Sequence, residues 1–141
     1  MILKSLIIVS LLTVTANEEL VIEGNIIGVK SLINGKQHPL LQKEAEAHAA
    51  YQAKVKRQGH QGWAFRVSRI RSAIADCTSF EEVANESWPS QNQNAAAKEM
   101  YKSWKQSKGH WAIVNGGCKY YGCAMVKGDN GVWYACFIVG R

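Results

Sequence analysis

The C-terminal end of this chain restricts its fold more than any other stretch. Gly128-Asp129-Asn130-Gly131 separates two runs rich in β-branched, aromatic and small apolar residues, Tyr121 to Lys127 and Val132 to Val139. Glycine, asparagine and aspartate tolerate the positive φ angles that tight hairpins demand, so this pattern specifies two antiparallel strands joined by a short turn. A turn centred between Asp129 and Asn130 pairs residues whose numbers sum to 259. Cys123 and Cys136 meet that condition, which sets them opposite one another within disulfide reach. Cys77 and Cys118 are then left for each other by elimination, closing a loop that contains the third predicted helix, Ala95 to Gln106. Each such bridge is typically worth about 2–4 kcal/mol.

Upstream the pattern is helical. Pro39 suits a first helical position, and Leu41, Ala45, His48, Gln52 and Val55 recur at helical spacing with Ala49 beside them, predicting a helix from Pro39 to Gln58 stopped by Gly59. A second helix is expected from about Ala64 to Ala75, with Phe65, Ile70 and Ile74 inward. Ser79 to Glu82 has the form of a capping box and predicts a short helical turn. Ala95 to Gln106 predicts a third helix, with Ala96, Met100 and Trp104 in one row and Ala97 and Tyr101 in the next. Trp111 to Val114 reads as a short strand.

The N-terminal end has a different character. Lys4 precedes an apolar run from Ser5 to Thr15, and Val14-Thr15-Ala16 places small residues just before the polar Asn17-Glu18-Glu19. That is the layout of a secretory signal, and the run is short of the roughly 20 residues that span a bilayer. Residues 1–16 are therefore expected to be a signal peptide, 17–38 a short N-terminal segment and 39–141 one domain. An exported chain with an even number of cysteines favours disulfides, and the absence of a Cys-x-x-Cys pair argues against a cysteine zinc site. A formal charge of +6 drops to +5 once Lys4 leaves with the signal. The basic residues are spread out apart from Lys54 to Arg57, which reads as a solvated helix face, and no nucleic-acid motif accompanies them.

Several local patterns occur in a telling order. The helix with Ala45, His48 and Ala49 is followed by Gly59-His60, then by Arg66, Ser68, Arg69 and Ile70, then by Asn85-Glu86-Ser87. Trp104-Lys105-Gln106-Ser107-Lys108-Gly109-His110 comes next, then Tyr121-Gly122-Cys123-Ala124 and Trp133-Tyr134-Ala135-Cys136-Phe137. From Pro39 to Arg141 this series resembles the CAP superfamily, or SCP-like domain, of cysteine-rich secretory, antigen 5 and pathogenesis-related 1 proteins.

The resemblance implies an α+β fold, a three-layer α-β-α sandwich of CAP type with a small antiparallel sheet flanked by helices. It also implies a ligand cleft. Carried over position by position, the cleft comprises His60, Glu86, Ser107, His110 and Trp111, with Glu86 standing for the glutamate of the family's Gly-Glu-Asn and Ser107 where many members have a second acid. His60, His110 and Glu86 form a candidate divalent-metal set, with Zn²⁺ the expected ion, since zinc takes nitrogen and oxygen ligands. Trp63, Trp88 and Trp111 are candidate cleft aromatics, whereas Trp104 and Trp133 are expected in the core. His38 and His48 are expected at the surface and in helix packing. The sequon Asn85-Glu86-Ser87 is read as unmodified, because a glycan there would crowd the cleft.

The expected function is that of a secreted, monomeric binding protein for a small ligand, a lipid, a metal or a cell-envelope component. The alternative is a metal-dependent hydrolase of peptide or cell-wall material that uses the same cleft.

Overall fold

The computed structural model describes residues 34–141. The calls on residues 1–16 and on most of 17–38 lie outside them. Strand β1, Lys36–Gln37, leads directly into helix α1, Pro39–Val55, whose N-terminus is capped by the His38 ring: Leu40 N–H donates to its Nδ1 at 3.1 Å. The helix stops at Lys56, which adopts the left-handed conformation (φ 56°), three residues before the expected Gly59. Helix α2, Trp63–Ala73, follows, then β2, Phe80–Glu86. Helices α3, Gln93–Gln106, and α4, Lys108–Asn115, precede the hairpin strands β3, Tyr120–Lys127, and β4, Trp133–Gly140.

The four strands form one sheet in the order β1-β3-β4-β2. β3 and β2 both run antiparallel to β4, while β1 pairs parallel with β3, so the sheet is mixed. Alternation along the strands divides the core in two. Tyr121, Cys123, Met125, Ala135, Phe137 and Val139 face α3 and α4, where Met100, Trp104 and Val114 meet them. Ala124, Cys136 and Ile138 face α1 and α2, against Leu41, Ala45, Ala49, Val67 and Ile70. The result is the expected three-layer α-β-α arrangement.

The short β1 leaves part of the β3 edge unpaired, and α1 completes it. Beyond the β1 ladder, the Gln42 side-chain amide donates to Cys123 O at 2.9 Å and accepts from Cys123 N at 3.0 Å. A side chain thus occupies the place of the next strand residue and satisfies backbone groups that would otherwise lack partners.

Three expectations change. The hairpin ladder runs from Lys127↔Trp133 to Tyr120↔Gly140, so paired numbers sum to 260. Val132 belongs to the connection, where its carbonyl accepts from Gly128 N at 2.8 Å, and the connecting segment 128–132 holds an odd number of residues. A shift of one residue turns a side chain to the other face. Cys136 consequently opposes Ala124 and Cys123 opposes Phe137, with the two thiols on opposite faces of the sheet. The Cys123–Cys136 disulfide does not form. Nor is Cys77 joined to Cys118 among the described residues: Cys77 packs against the α1–α2 face and Cys118 against the α3–α4 face.

The other two changes are of element type. Ser79 to Glu82 is not a helical turn: every residue of β2 pairs with β4, from Phe80↔Gly140 to Glu86↔Tyr134. Trp111 to Val114 is helix, with Trp111 N donating to Ser107 O at 2.8 Å and Val114 fully buried. Short apolar runs do not distinguish strand from helix by themselves. In α2, Ile70 and Ile74 point inward with Val67, whereas Phe65 is 80% exposed.

Candidate functional site

One stripe of α1 carries polar residues into the interior: Glu44, His48 and Gln52, spaced four apart, are all buried. Two of them grip the following loop at a single residue. Gln52 Oε1 accepts from Gly59 N at 2.9 Å, and His48 Nε2–H donates to Gly59 O at 2.7 Å. The Gln52 amide also donates to Ala135 O at 3.0 Å, tying the loop to β4. Gly59 has φ 155° and Gly62, the α2 N-cap, has φ 70°, which lets the chain turn sharply on both sides of His60.

The loop delivers His60 to Glu82 on β2. His60 Nδ1–H donates to Glu82 Oε1 at 2.9 Å, and the His60 side chain remains 50% exposed. Arg66, from the first turn of α2, binds the same carboxylate through both terminal nitrogens, Nη2 to Oε1 at 3.0 Å and Nη1 to Oε2. Its Nε and Nη2 also donate to Gln61 O, at 3.3 and 3.0 Å. The Cys136 thiol donates to Glu82 Oε2 at 3.4 Å, and His48 Nε2 is 3.8 Å from Oε1. A bidentate Arg–carboxylate pair with further donors is the geometry that makes a buried charge tolerable.

The electrostatics follow. Burial pushes the Glu82 pKa upward, but the bonds from Arg66 and His60 outweigh it and hold the carboxyl below its ordinary value. Burial lowers the His48 pKa, and the Gly59 carbonyl and Glu82 only partly offset that. His48 is thus held neutral in the folded protein at pH values where the unfolded chain begins to protonate it, below 6.5. Its contribution to stability is full above that value and erodes as the pH falls below it. Glu82 adds a second decline at lower pH, below the ordinary 4.5, as its carboxylate finally protonates. The melting temperature should therefore fall on acidification from about pH 7.5 to about pH 5.5, and His48→Gln should flatten that segment while leaving the lower one. A wild-type melting temperature independent of pH across that interval would contradict the account.

The residues expected to form a cleft come from different elements of the fold. Glu86, at the exposed end of β2, accepts from Gln58 N at 3.2 Å, four residues from the carboxylate that His60 binds. Ser107 is the hinge between α3 and α4. His110 and Trp111 lie on α4, which packs on the opposite face of the sheet from His60, and Trp111 stands edge-on to Tyr101 at 5.5 Å. Among the described residues, His110 has no hydrogen bond or ion pair with His60, Glu82 or Glu86.

The cluster does not fit zinc. Both Glu82 oxygens receive Arg66, His48 Nε2–H is directed at Gly59, and His60 Nδ1 is directed at Glu82. Among the described residues no group of three or more His, Cys, Asp or Glu side chains could hold a metal ion. The Arg66 guanidinium already supplies the positive charge beside the Glu82 carboxylate.

Sequence reasoning did not single out Glu82 or Arg66, and it read His48 only as packing. The available signal was alternation: a strand from Phe80 puts Phe80, Glu82 and Ala84 on one face, so an acid stands among apolar neighbours.

Beside this cluster, α1 and α2 enclose a groove of about 400 Å³. Ala47, Tyr51 and Phe65 give it apolar walls, and Glu44, His48, Gln61, Arg66 and Arg69 line the rest. Tyr51 is 44% exposed and its ring stacks on His48 at 6.0 Å. The charges are matched in pairs, Arg69 with Glu44 at 3.0 Å and Arg66 with Glu82. Gln61 Oε1 is buried without a hydrogen-bond partner among the described residues.

Comparison with known proteins accords with this geometry. The profile of the Cysteine-rich secretory protein family, CAP, matches residues 37–138. No curated protein sequence matches. Among solved structures, an outer surface protein of Borrelia burgdorferi superposes with a TM-score of 0.62 at 14% identity, covering 89% of this chain and 88% of that one. At that identity the likeness is one of fold.

Proposed function

Since this chain belongs to the Cysteine-rich secretory protein (CAP) family, we propose that it is an exported binding protein that takes an uncharged, hydroxyl-bearing lipid of sterol type into the groove between α1 and α2. The observation that carries this reading is the composition of the groove: apolar walls at Tyr51 and Phe65, charges matched in pairs, and one buried acceptor, Gln61 Oε1, with no partner among the described residues. Exposed aromatic surface favours an apolar occupant. Paired charges offer no surplus to an ionic head group. An unsatisfied buried acceptor costs about 1–3 kcal/mol, and a ligand hydroxyl reached by a small rotation of the amide removes that penalty. The volume lies near the lower end of the roughly 300–1,000 Å³ usual for ligand sites. The apolar segment ahead of Ala16 supports export, and no described helix is long and apolar enough to cross a membrane. Metal-dependent hydrolysis is the weaker reading, because the imidazole and carboxylate that do meet, His60 and Glu82, are already bonded to each other and to Arg66.

The test is titration with dehydroergosterol, read by energy transfer from tryptophan. Saturable transfer is expected, weakened about tenfold or more by Phe65→Asp, several-fold by Gln61→Leu, and unchanged by a chelator. Non-saturable transfer, or transfer indifferent to Phe65→Asp, would refute the lipid reading.

A further inference from the structure

A second depression lies on the α3 side, between that helix and the segment leaving β2. It has a volume of about 390 Å³ and is lined by Glu86, Ser87, Trp88, Glu99, Lys102, Ser103 and Gln106. Its character differs from the lipid groove. Apart from one indole the lining is polar, and the indole of Trp88 is 72% exposed.

The backbone beneath that indole is fixed. Trp88 N–H donates to both oxygens of Glu99, at 3.1 and 3.3 Å. Trp88 O accepts from Ser87 Oγ at 2.7 Å, and the same Oγ accepts from Trp133 N at 3.0 Å. Ser87 itself is buried, and its N–H donates to Trp133 O at 2.9 Å, extending the β2–β4 pairing by one residue. A large apolar ring is thus held out in water on a rigid support. Around it, the side chains of Lys102, Ser103 and Gln106 make no hydrogen bond to any described residue. They are donors and acceptors available to a ligand.

We propose that this depression is a binding subsite for a neutral saccharide. A pyranose has one face of C–H bonds and a rim of hydroxyls. The C–H face stacks on the Trp88 indole, and the rim reaches Glu86, Lys102, Ser103 and Gln106. A wholly apolar ligand would strand those polar groups, which is unfavourable. A nucleotide, sulfated glycan or uronate would meet the carboxylates Glu86 and Glu99 with only Lys102 to offset them, so like-charge repulsion selects against anions. The subsite is independent of the lipid groove, which lies in the other helical layer.

The experiment is saturation-transfer NMR on the full-length protein with triacetylchitotriose, maltotriose and a heparin tetrasaccharide as probes. Transfer to at least one neutral trisaccharide is expected, stronger than to heparin. Trp88→Ala should abolish it, and Gln106→Ala should weaken it several-fold. Phe65→Ala, in the other groove, should leave it unchanged. Circular dichroism checks that the Trp88 variant, altered at an exposed position, keeps its fold. Absence of transfer to both neutral probes, a preference for heparin, or equal transfer with Trp88→Ala would each overturn the proposal.

Discussion

Gly122→Ala should destabilise the protein by about 3 kcal/mol or more, at or beyond the upper end for an overpacked core site. A Cβ at residue 122 would stand 2.2 Å from both the carbonyl carbon and the oxygen of Leu41, and 2.4 Å from Gln42 N. These are backbone atoms in the first turn of α1, so no side-chain rotation relieves the clash. The helix must lift off β3, and two other features depend on the same close approach. Leu41 is fully buried in the α1–α2 face of the core. The Gln42 amide reaches both backbone groups of Cys123 only while α1 lies directly on the strand. Lifting the helix exposes the first and breaks the second. Gly109→Ala is the control: an added methyl there meets nothing within 4 Å, and the position is helical. Alanine there should be neutral or stabilising by up to about 1 kcal/mol. Denaturant unfolding of both variants distinguishes a packing requirement at Gly122 from a general sensitivity to losing glycine. Equal behaviour of the two would contradict it.

Gly122 also shows how much of this molecule was legible in its sequence. It stood in the Gly-Cys-Ala strand that helped reveal the family, yet nothing in the sequence says which backbone it must admit. The same divide runs through the rest. The α-β-α layering was implied by the family resemblance, whereas the extents of α1 and α3 follow from periodicity, and the rows Ala96, Met100, Trp104 and Ala97, Tyr101 are all buried as expected. The hairpin's position follows from its turn residues, but its register does not. Register depends on whether Val132 closes the turn or opens the strand, and that one residue decides which face Cys136 occupies. In α2, Phe65 and Ile70 are five apart and cannot share a helical face, whereas Val67, Ile70 and Ile74 can. The candidate site was partly legible: His60 was identified, but its acid was placed at Glu86 by the motif match, while Ser79 to Glu82 read as a capping box rather than as a strand. Arg66 was visible only as part of the family series. No local pattern announces that a guanidinium will meet a carboxylate sixteen residues later across a loop turned by Gly59 and Gly62.

The strongest consequence of that meeting concerns charge. Glu82→Ala should cost about 3–5 kcal/mol, because it leaves the Arg66 guanidinium buried without its counter-ion. That is a large part of the roughly 5–15 kcal/mol that holds a domain together, so the variant should melt on the order of 10 °C or more lower, or fail to accumulate. Only 10% of the Arg66 side chain and 1% of Glu82 are accessible, so water cannot replace the lost partner. The remaining acceptor, Gln61 O, already serves Arg66. The double substitution Arg66→Met with Glu82→Leu removes both charges and keeps the volume apolar. It should recover most of the loss, since exchanging a whole buried pair for hydrophobic residues is often neutral. His60 would lose its bond to Glu82, but as a half-exposed ring it can turn to water at little cost. The double variant therefore separates two roles for the cluster. Recovered stability with unchanged dehydroergosterol binding would make the ion pair scaffolding for the loop. Recovered stability with weakened binding would make the pair a determinant of groove shape, because Arg66 lines the groove as well as closing the cluster. If Glu82→Ala melts like the wild type, the buried pair does not hold the α1–α2 loop against the sheet, and the electrostatic account of this site fails.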